Sequence, residues 1–319
     1  MTASPPSEPR PPRGRLPGPW FWAVQCVVGA AVALLVGRTL VRNWSAFRSL
    51  HVALTPKPVW IVLSVVVVFV TYAIQVESWR RLLSGWAQRL SYSRAARIWF
   101  VVNLGRYIPG KVWSVAGLVV LAQRAGVEPW AAGASAFALQ AVGLGTAVAL
   151  VAAATPSAAS PLRLGTAALV ALLTIGLLTW ERTARRIAEL TGPKDQFRPL
   201  PLVAVAESAG LSLLSWITYG VAFWLLARGL GLPGALPVAR AAGVFALGYI
   251  LGLLALFAPG GVGVREVVLV GLLTPALGGG GAVALSVASR ILLTLTEVVA
   301  PLSALLFMRD AKEDVSVRT

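Results

Sequence analysis

Long apolar stretches alternate along this chain with short polar ones. Six apolar segments, at 20–41, 59–78, 129–154, 161–180, 201–227 and 282–308, approach or exceed the ~20 residues that an α-helix needs to cross the hydrocarbon core. Within them, the runs 21–37, 59–74, 131–154 and 164–179 carry no charge at all. The pattern predicts an all-α integral membrane protein with about six full spans. Two further apolar pieces, 98–122 and 240–277, are each interrupted by a proline–glycine pair, Pro109-Gly110 and Pro259-Gly260-Gly261.

The two breaks predict different things. Ile98–Ile108 is only ~16 Å of helix, about half the hydrocarbon thickness. Together with Val112–Ala122 it reads as a re-entrant hairpin that enters and leaves on one side. In the second piece, Arg240–Ala258 is long enough to cross and Val262–Ala276 nearly so, so a hairpin and a pair of spans both fit. Each break brings ionisable residues into lipid: Arg106 and Lys111 at the first, Arg265 and Glu266 at the second. Such interruptions are costly unless they line a polar cavity or are buried in protein. A repeated pair of them points to a site between two halves of a membrane protein.

Two of the predicted spans carry a polar stripe. Ser208, Ser212, Ser215 and Tyr219 share one face of 201–227, with Glu207 beside them. Ser286, Ser289, Arg290, Thr294 and Glu297 share one face of 282–308. Helical spacing makes both stripes one-sided. For the serines and threonines, interhelical hydrogen bonding is a sufficient reason. Arg290, Glu297 and Glu207 ask for more, because an ion within a span needs a partner or water.

Composition agrees with a membrane protein. Hydrophobic residues make up 57% of the 319, and the mean hydropathy is +0.77. The formal net charge of +16 suggests nucleic-acid binding until its placement is read. Arg80, Arg81, Arg89, Arg94 and Arg97 form one basic cluster between spans, and Arg182, Arg185, Arg186, Lys194 and Arg198 form another. Such clusters mark the cytoplasmic side and attract anionic lipid, and no soluble domain is present to hold a nucleic acid. With the N-terminus inside, both clusters and the 309–319 tail fall inside as well. The expected location is therefore the cell membrane, with both termini cytoplasmic. The first break then opens from the cytoplasmic side and the second from the outer side, an inverted pair. The basic, proline-rich residues 1–19 read as a disordered arm, and the apolar run after them as a retained signal anchor. Residues 20–308 form the membrane domain. Tryptophans such as Trp20, Trp22, Trp44, Trp60, Trp79, Trp99 and Trp180 fall near span ends, as an interfacial belt does.

Lys111 and Arg265 follow glycine turns at the starts of predicted helices. A helix N-terminus already carries partial positive charge, so a cation there is misplaced unless an anion is close. That anion is either a lipid phosphate or acidic headgroup, or an internal carboxylate such as Glu207, Glu266 or Glu297. The candidate site thus comprises Arg106, Pro109, Gly110, Lys111, Glu207, Pro259, Gly260, Gly261, Arg265, Glu266, Arg290 and Glu297. Catalytic chemistry is poorly supplied. The only aspartates, Asp195, Asp310 and Asp314, lie in loops or the tail, and there is no nucleotide loop or metal-ligand spacing. No cofactor and no metal are expected. Glu77, three and four residues before Arg80 and Arg81, reads as ordinary helical pairing. The single cysteine, Cys26, reads as inert packing.

The segments Gly105 to Trp113 (GRYIPGKVW) and Pro259 to Glu266 (PGGVGVRE) resemble the two signatures of the lysylphosphatidylglycerol synthase/flippase transmembrane family. The resemblance runs from about residue 20 to 308. It implies a multi-helix membrane domain that, in bifunctional members, moves aminoacylated phospholipid between leaflets. Those members also carry a soluble synthase domain, which this chain lacks after its last predicted helix, so aminoacyl transfer does not carry over. The expected function is flippase-like translocation of a membrane lipid or lipid-linked substrate with an anionic headgroup. A polyprenyl-phosphate-dependent glycosyltransferase and a non-transporting membrane scaffold are the alternatives. The former predicts an outward acidic catalytic residue, and the latter predicts that all buried ions pair internally.

Overall fold

A computed structural model describes residues 54–104, 112–154, 161–179, 198–232, 236–255, 261 and 263–307. Every regular element among them is a helix: α1 Pro58–Gly85, α2 Tyr92–Leu104, α3 Val112–Arg124, α4 Pro129–Ala154, α5 Pro161–Thr179, α6 Leu202–Gly229, α7 Val238–Leu254 and α8 Val264–Phe307. Four of these, α1, α4, α6 and α8, are long and apolar enough to cross a membrane. The predicted span 20–41, the basic cluster around 181–198 up to Gln196 and Phe197, and the Pro-Gly pairs at 109–110 and 259–260 lie outside the described residues.

Helix α1 is largely apolar, and its two faces are told apart by what they touch. Val59, Val62, Val66 and Val70 are exposed along one face, where lipid is the solvent. Ser64, Thr71 and Ser78, seven residues apart, are buried on the other. Each of these three bonds α6. Ser64 Oγ donates to the Ala222 carbonyl (2.7 Å), Thr71 Oγ1 donates to Thr218 Oγ1 (2.8 Å), and Ser78 and Ser208 share a hydroxyl bond of 2.8 Å. Partners rise on α1 as they fall on α6, so the helices are antiparallel and in register along their whole length. The ladder ends at the Lys57 N–H to Gly229 carbonyl bond (2.7 Å) on one side. On the other it ends at the Arg81–Glu207 ion pair (3.2 Å). A seven-residue spacing of small polar groups suits this contact, because it keeps one seam facing one partner.

The segment Arg80–Arg97, read from sequence as a polar connection, is mostly helical. Helix α1 continues to Gly85 and α2 begins at Tyr92. Apolar length marks where a helix leaves lipid, not where its hydrogen bonding stops. Here Glu77 pairs with both Arg80 and Arg81, three and four residues on, and supports the extra turns. Helix α2 accordingly starts six residues before Ile98. At 13 residues each, α2 and α3 are ~20 Å long, shorter than the hydrocarbon core.

Helices α7 and α8 follow a sharper course. Gly252 of α7 faces Gly261 and Arg265, and Gly248 faces Leu269, so the chain doubles back on itself. Gly261 has φ +70°, and a Cβ there would lie 2.9 Å from the Gly252 Cα. Only glycine permits both that backbone angle and that approach. Helix α8 breaks in turn at Gly278 (φ 70°, ψ 165°). Beyond it the second arm, 279–307, runs parallel to α1. Ser289, Leu292 and Leu293 meet Ser64 and Val68, and Thr296 Oγ1 lies 3.0 Å from Tyr72 Oη. The predicted span 282–308 is therefore the second arm of a bent helix whose first arm, 264–277, pairs with α7.

Candidate functional site

Arg265 opens the first arm of α8 and points inward. Only 7% of its surface is exposed, and its Nε and Nη2 have no hydrogen-bond partner among the described residues. Room for the side chain comes from α7, where Gly248 and Gly252 stand one turn apart; a Cβ on Gly252 would lie 3.3 Å from the Arg265 Cβ. The guanidinium carbon sits 4.7 Å from the centroid of the Phe245 ring, a cation–π contact that offsets part of its lost hydration. Phe245 in turn stacks on Tyr219 of α6 at 5.0 Å, and Tyr219 meets Tyr72 of α1 edge-on at 6.4 Å. Ring faces from α6 and α7 thus form one wall around the cation.

The depth of this cluster follows from helix geometry. Tyr219 lies ten residues, or ~15 Å, from the Gly229 end of α6, about half the thickness of the hydrocarbon core. An arginine at that level is expensive, and it needs a partner, water or a ligand.

Three charged neighbours complete the cluster. Arg290, Glu266 and Glu297 all act on Arg265 electrostatically. Glu266 divides its two oxygens: Oε2 accepts the Gly263 N–H at 2.6 Å, and Oε1 lies 3.6 Å from Arg290 Nη1. The first contact caps the new helix, satisfying one of its free N–H groups. The second crosses between the two arms of α8. Glu297 is 8% exposed, on the same face as Arg290 and about two turns further on. Two cations and two carboxylates therefore share one largely buried region, and one guanidinium among them has two nitrogens without a partner among the described residues.

The structure brings together Gly261, Arg265, Glu266, Arg290 and Glu297 from the residues singled out in the sequence. It does not bring Glu207 to them. Glu207 is half-exposed and pairs with Arg81, ~18 Å along α6 from Tyr219. Arg106, Pro109, Gly110, Lys111, Pro259 and Gly260 lie outside the described residues. Gly261 serves the close turn against Gly252. The stripe on α6 largely does what small polar residues do in bundles: Ser208 bonds Ser78, and Ser212 shares a hydroxyl bond with Thr146 at 2.9 Å. Sequence reasoning missed Phe245, Tyr72, Gly248 and Gly252. The signal available was the small-xxx-small pair Gly248/Gly252 with an aromatic residue just before it. Among the described residues no three His, Cys, Asp or Glu side chains are grouped to hold a metal ion.

The sequence model of the lysylphosphatidylglycerol synthase TM region matches residues 22–300. The chain belongs to this family. No curated protein matches it significantly. The family match includes Arg265, Glu266, Arg290 and Glu297, together with the whole α7–α8 turn and about three quarters of the second arm. Membership and the apolar helices together describe a multi-pass membrane protein related to lipid metabolism or transport.

Proposed function

We propose that this chain moves a membrane lipid, or a lipid-linked substrate, between leaflets, and that Arg265 receives its anionic headgroup. The observation that carries this reading is the pair of unused donors on a buried guanidinium at about mid-depth. Leaving such a charge uncompensated costs several kcal/mol, so a passing phosphate or carboxylate that accepts from both nitrogens is strongly favoured there. Glu266 is drawn away to Gly263 and Arg290, which keeps it from neutralising Arg265 fully. Arg290 adds positive field, while Glu266 and Glu297 keep the empty site close to neutral, so that the headgroup is held and then released.

In this reading α7 and the first arm of α8 form a re-entrant hairpin that enters from the Lys57–Gly229 end of the α1–α6 ladder. The short helices α2 and α3 form its inverted counterpart from the opposite end. The Arg81–Glu207 end faces the cytoplasm, on the side of the basic cluster. Six full spans and two broken segments then make up the membrane region, with Arg106 and Lys111 as the second half of the headgroup path.

The test is transbilayer movement of a fluorescent phosphatidylglycerol in proteoliposomes. Arg265→Gln is expected to slow movement about tenfold, in line with ~1–3 kcal/mol for charge-assisted hydrogen bonds. Arg265→Lys should restore part of the rate. Equal rates in wild type and Arg265→Gln would remove Arg265 from the path. A folded wild type that moves no lipid would favour the glycosyltransferase or scaffold reading instead.

A further inference from the structure

At the Lys57–Gly229 end of the α1–α6 ladder lies a recess of about 670 Å³, within the ~300–1,000 Å³ range of small-molecule sites. Its lining is mixed: it includes Lys57, Arg228, Trp60 and Trp224 together with Leu232, Leu236 and Leu277. No carboxylate occurs among the described residues that line it.

The cationic groups are held in place. Lys57 is the residue before α1 and its N–H is bonded to the Gly229 carbonyl, so the lysine cannot drift away from the end of α6. Gly231, at φ +66°, seats the chain after α6 directly on Thr55; a Cβ there would come 2.5 Å from the Thr55 carbonyl oxygen. The Arg228 guanidinium lies 4.6 Å from the Trp224 ring centroid and 6.0 Å from that of Trp60. The cation–π attraction of Trp224 holds the guanidinium beside the recess, where its N–H groups can meet an acceptor. The starts of α1 and α7 also meet this recess, at Lys57 and at Pro237 and Val238. A lysine at a helix start is unfavourably placed with respect to the helix dipole unless an anion accompanies it.

We infer that this recess is a second lipid station, which holds the phosphate of an anionic phospholipid between Lys57 and Arg228 with its glycerol and upper chains against the leucine wall. The mixed lining favours a lipid over a free anion, because inorganic phosphate has no use for three leucines. As a waypoint the station rests on the translocation reading, since Leu277 ends the helix arm that Arg265 begins, ~18 Å below. As a binding site it stands without that reading.

Native mass spectrometry of the detergent-solubilised full chain, titrated with equimolar phosphatidylglycerol and phosphatidylcholine, separates the two. The wild type is expected to retain phosphatidylglycerol in preference. Lys57→Gln with Arg228→Gln should lower that retention about tenfold, and Lys57→Gln alone by severalfold; Lys57 is exposed, so the single variant guards against misfolding of the double one. In an Arg265→Gln background, where transport is slowed, the Lys57→Gln and Arg228→Gln pair should still lower phosphatidylglycerol retention by a similar factor, because that loss belongs to the recess. Equal retention of both lipids, or retention unchanged in the Lys57 and Arg228 variants, would overturn the station whatever the transport assay gives. Displacement of the retained lipid by millimolar inorganic phosphate would overturn the lipid assignment in favour of a free-anion site.

Discussion

Glu266 is the residue whose removal is easiest to read. It accepts the Gly263 N–H and faces Arg290, so one side chain both caps the helix start and ties the two arms of α8 together. Glu266→Ala is expected to destabilise the protein by ~1–2 kcal/mol, the usual cost of a lost cap. Glu266→Gln keeps a carbonyl oxygen for Gly263 and should lose clearly less. Thermal unfolding of the purified variants in detergent checks the order; equal losses would mean that the Arg290 contact, not the cap, carries the effect. Arg265 behaves differently. Its unused donors contribute nothing to the empty protein, so Arg265→Gln should leave the unfolding temperature level or raise it even as transport slows.

Close approach of backbones holds some helices of this bundle together. Gly220 of α6 lies against α7, and a Cβ there would fall 2.4 Å from the Ala242 Cα. Backbone cannot move aside as a side-chain tip can. Gly220→Ala should therefore force the two helices apart and cost ~1–3 kcal/mol. Gly210, ten residues earlier on the same helix, is exposed, and a Cβ there would meet nothing within 4 Å. There the same change should be neutral or add up to about 1 kcal/mol. Paired unfolding measurements on the two variants decide whether the crossing at Gly220 is as tight as its geometry indicates. Because α6 and α7 supply Tyr219 and Phe245, a loosened crossing should also weaken the aromatic wall around Arg265.

At the scale of the whole molecule the proposed orientation is the testable property. The α1–α6 ladder has one end at Lys57 and the other at Arg81 and Glu207, with exposed Arg89 just beyond. In a Cys26→Ser background, Arg89→Cys should resist an impermeant thiol reagent in intact cells, and Lys57→Cys should be labelled. The reverse pattern would invert the protein in the membrane and place the recess on the cytoplasmic side. It would leave the contacts around Arg265 as they are, because they depend only on the helices themselves.

Membrane class, the helices α4, α5 and α6 to within a residue or two, and the two places where ions enter the apolar chain were legible in the sequence, since apolar length and helical period are local properties. The true end of α1 was not, because hydrogen bonding and the Glu77 pairs carry a helix past the point where lipid stops. Nor was the choice of ionic partners. Glu207 and Glu297 look alike on paper, each an acid at a polar stripe. Rotation about the helix axis and depth along it send one to exposed Arg81 and the other to the region of Arg265. The heptad Ser64, Thr71 and Ser78 gains meaning only from α6 alongside it, and Phe245 only from the hairpin that lays Arg265 on its face. Sequence therefore determined which groups had to be accommodated within the membrane. Tertiary structure decided which of them met, because the contacts lie between helices far apart in the chain.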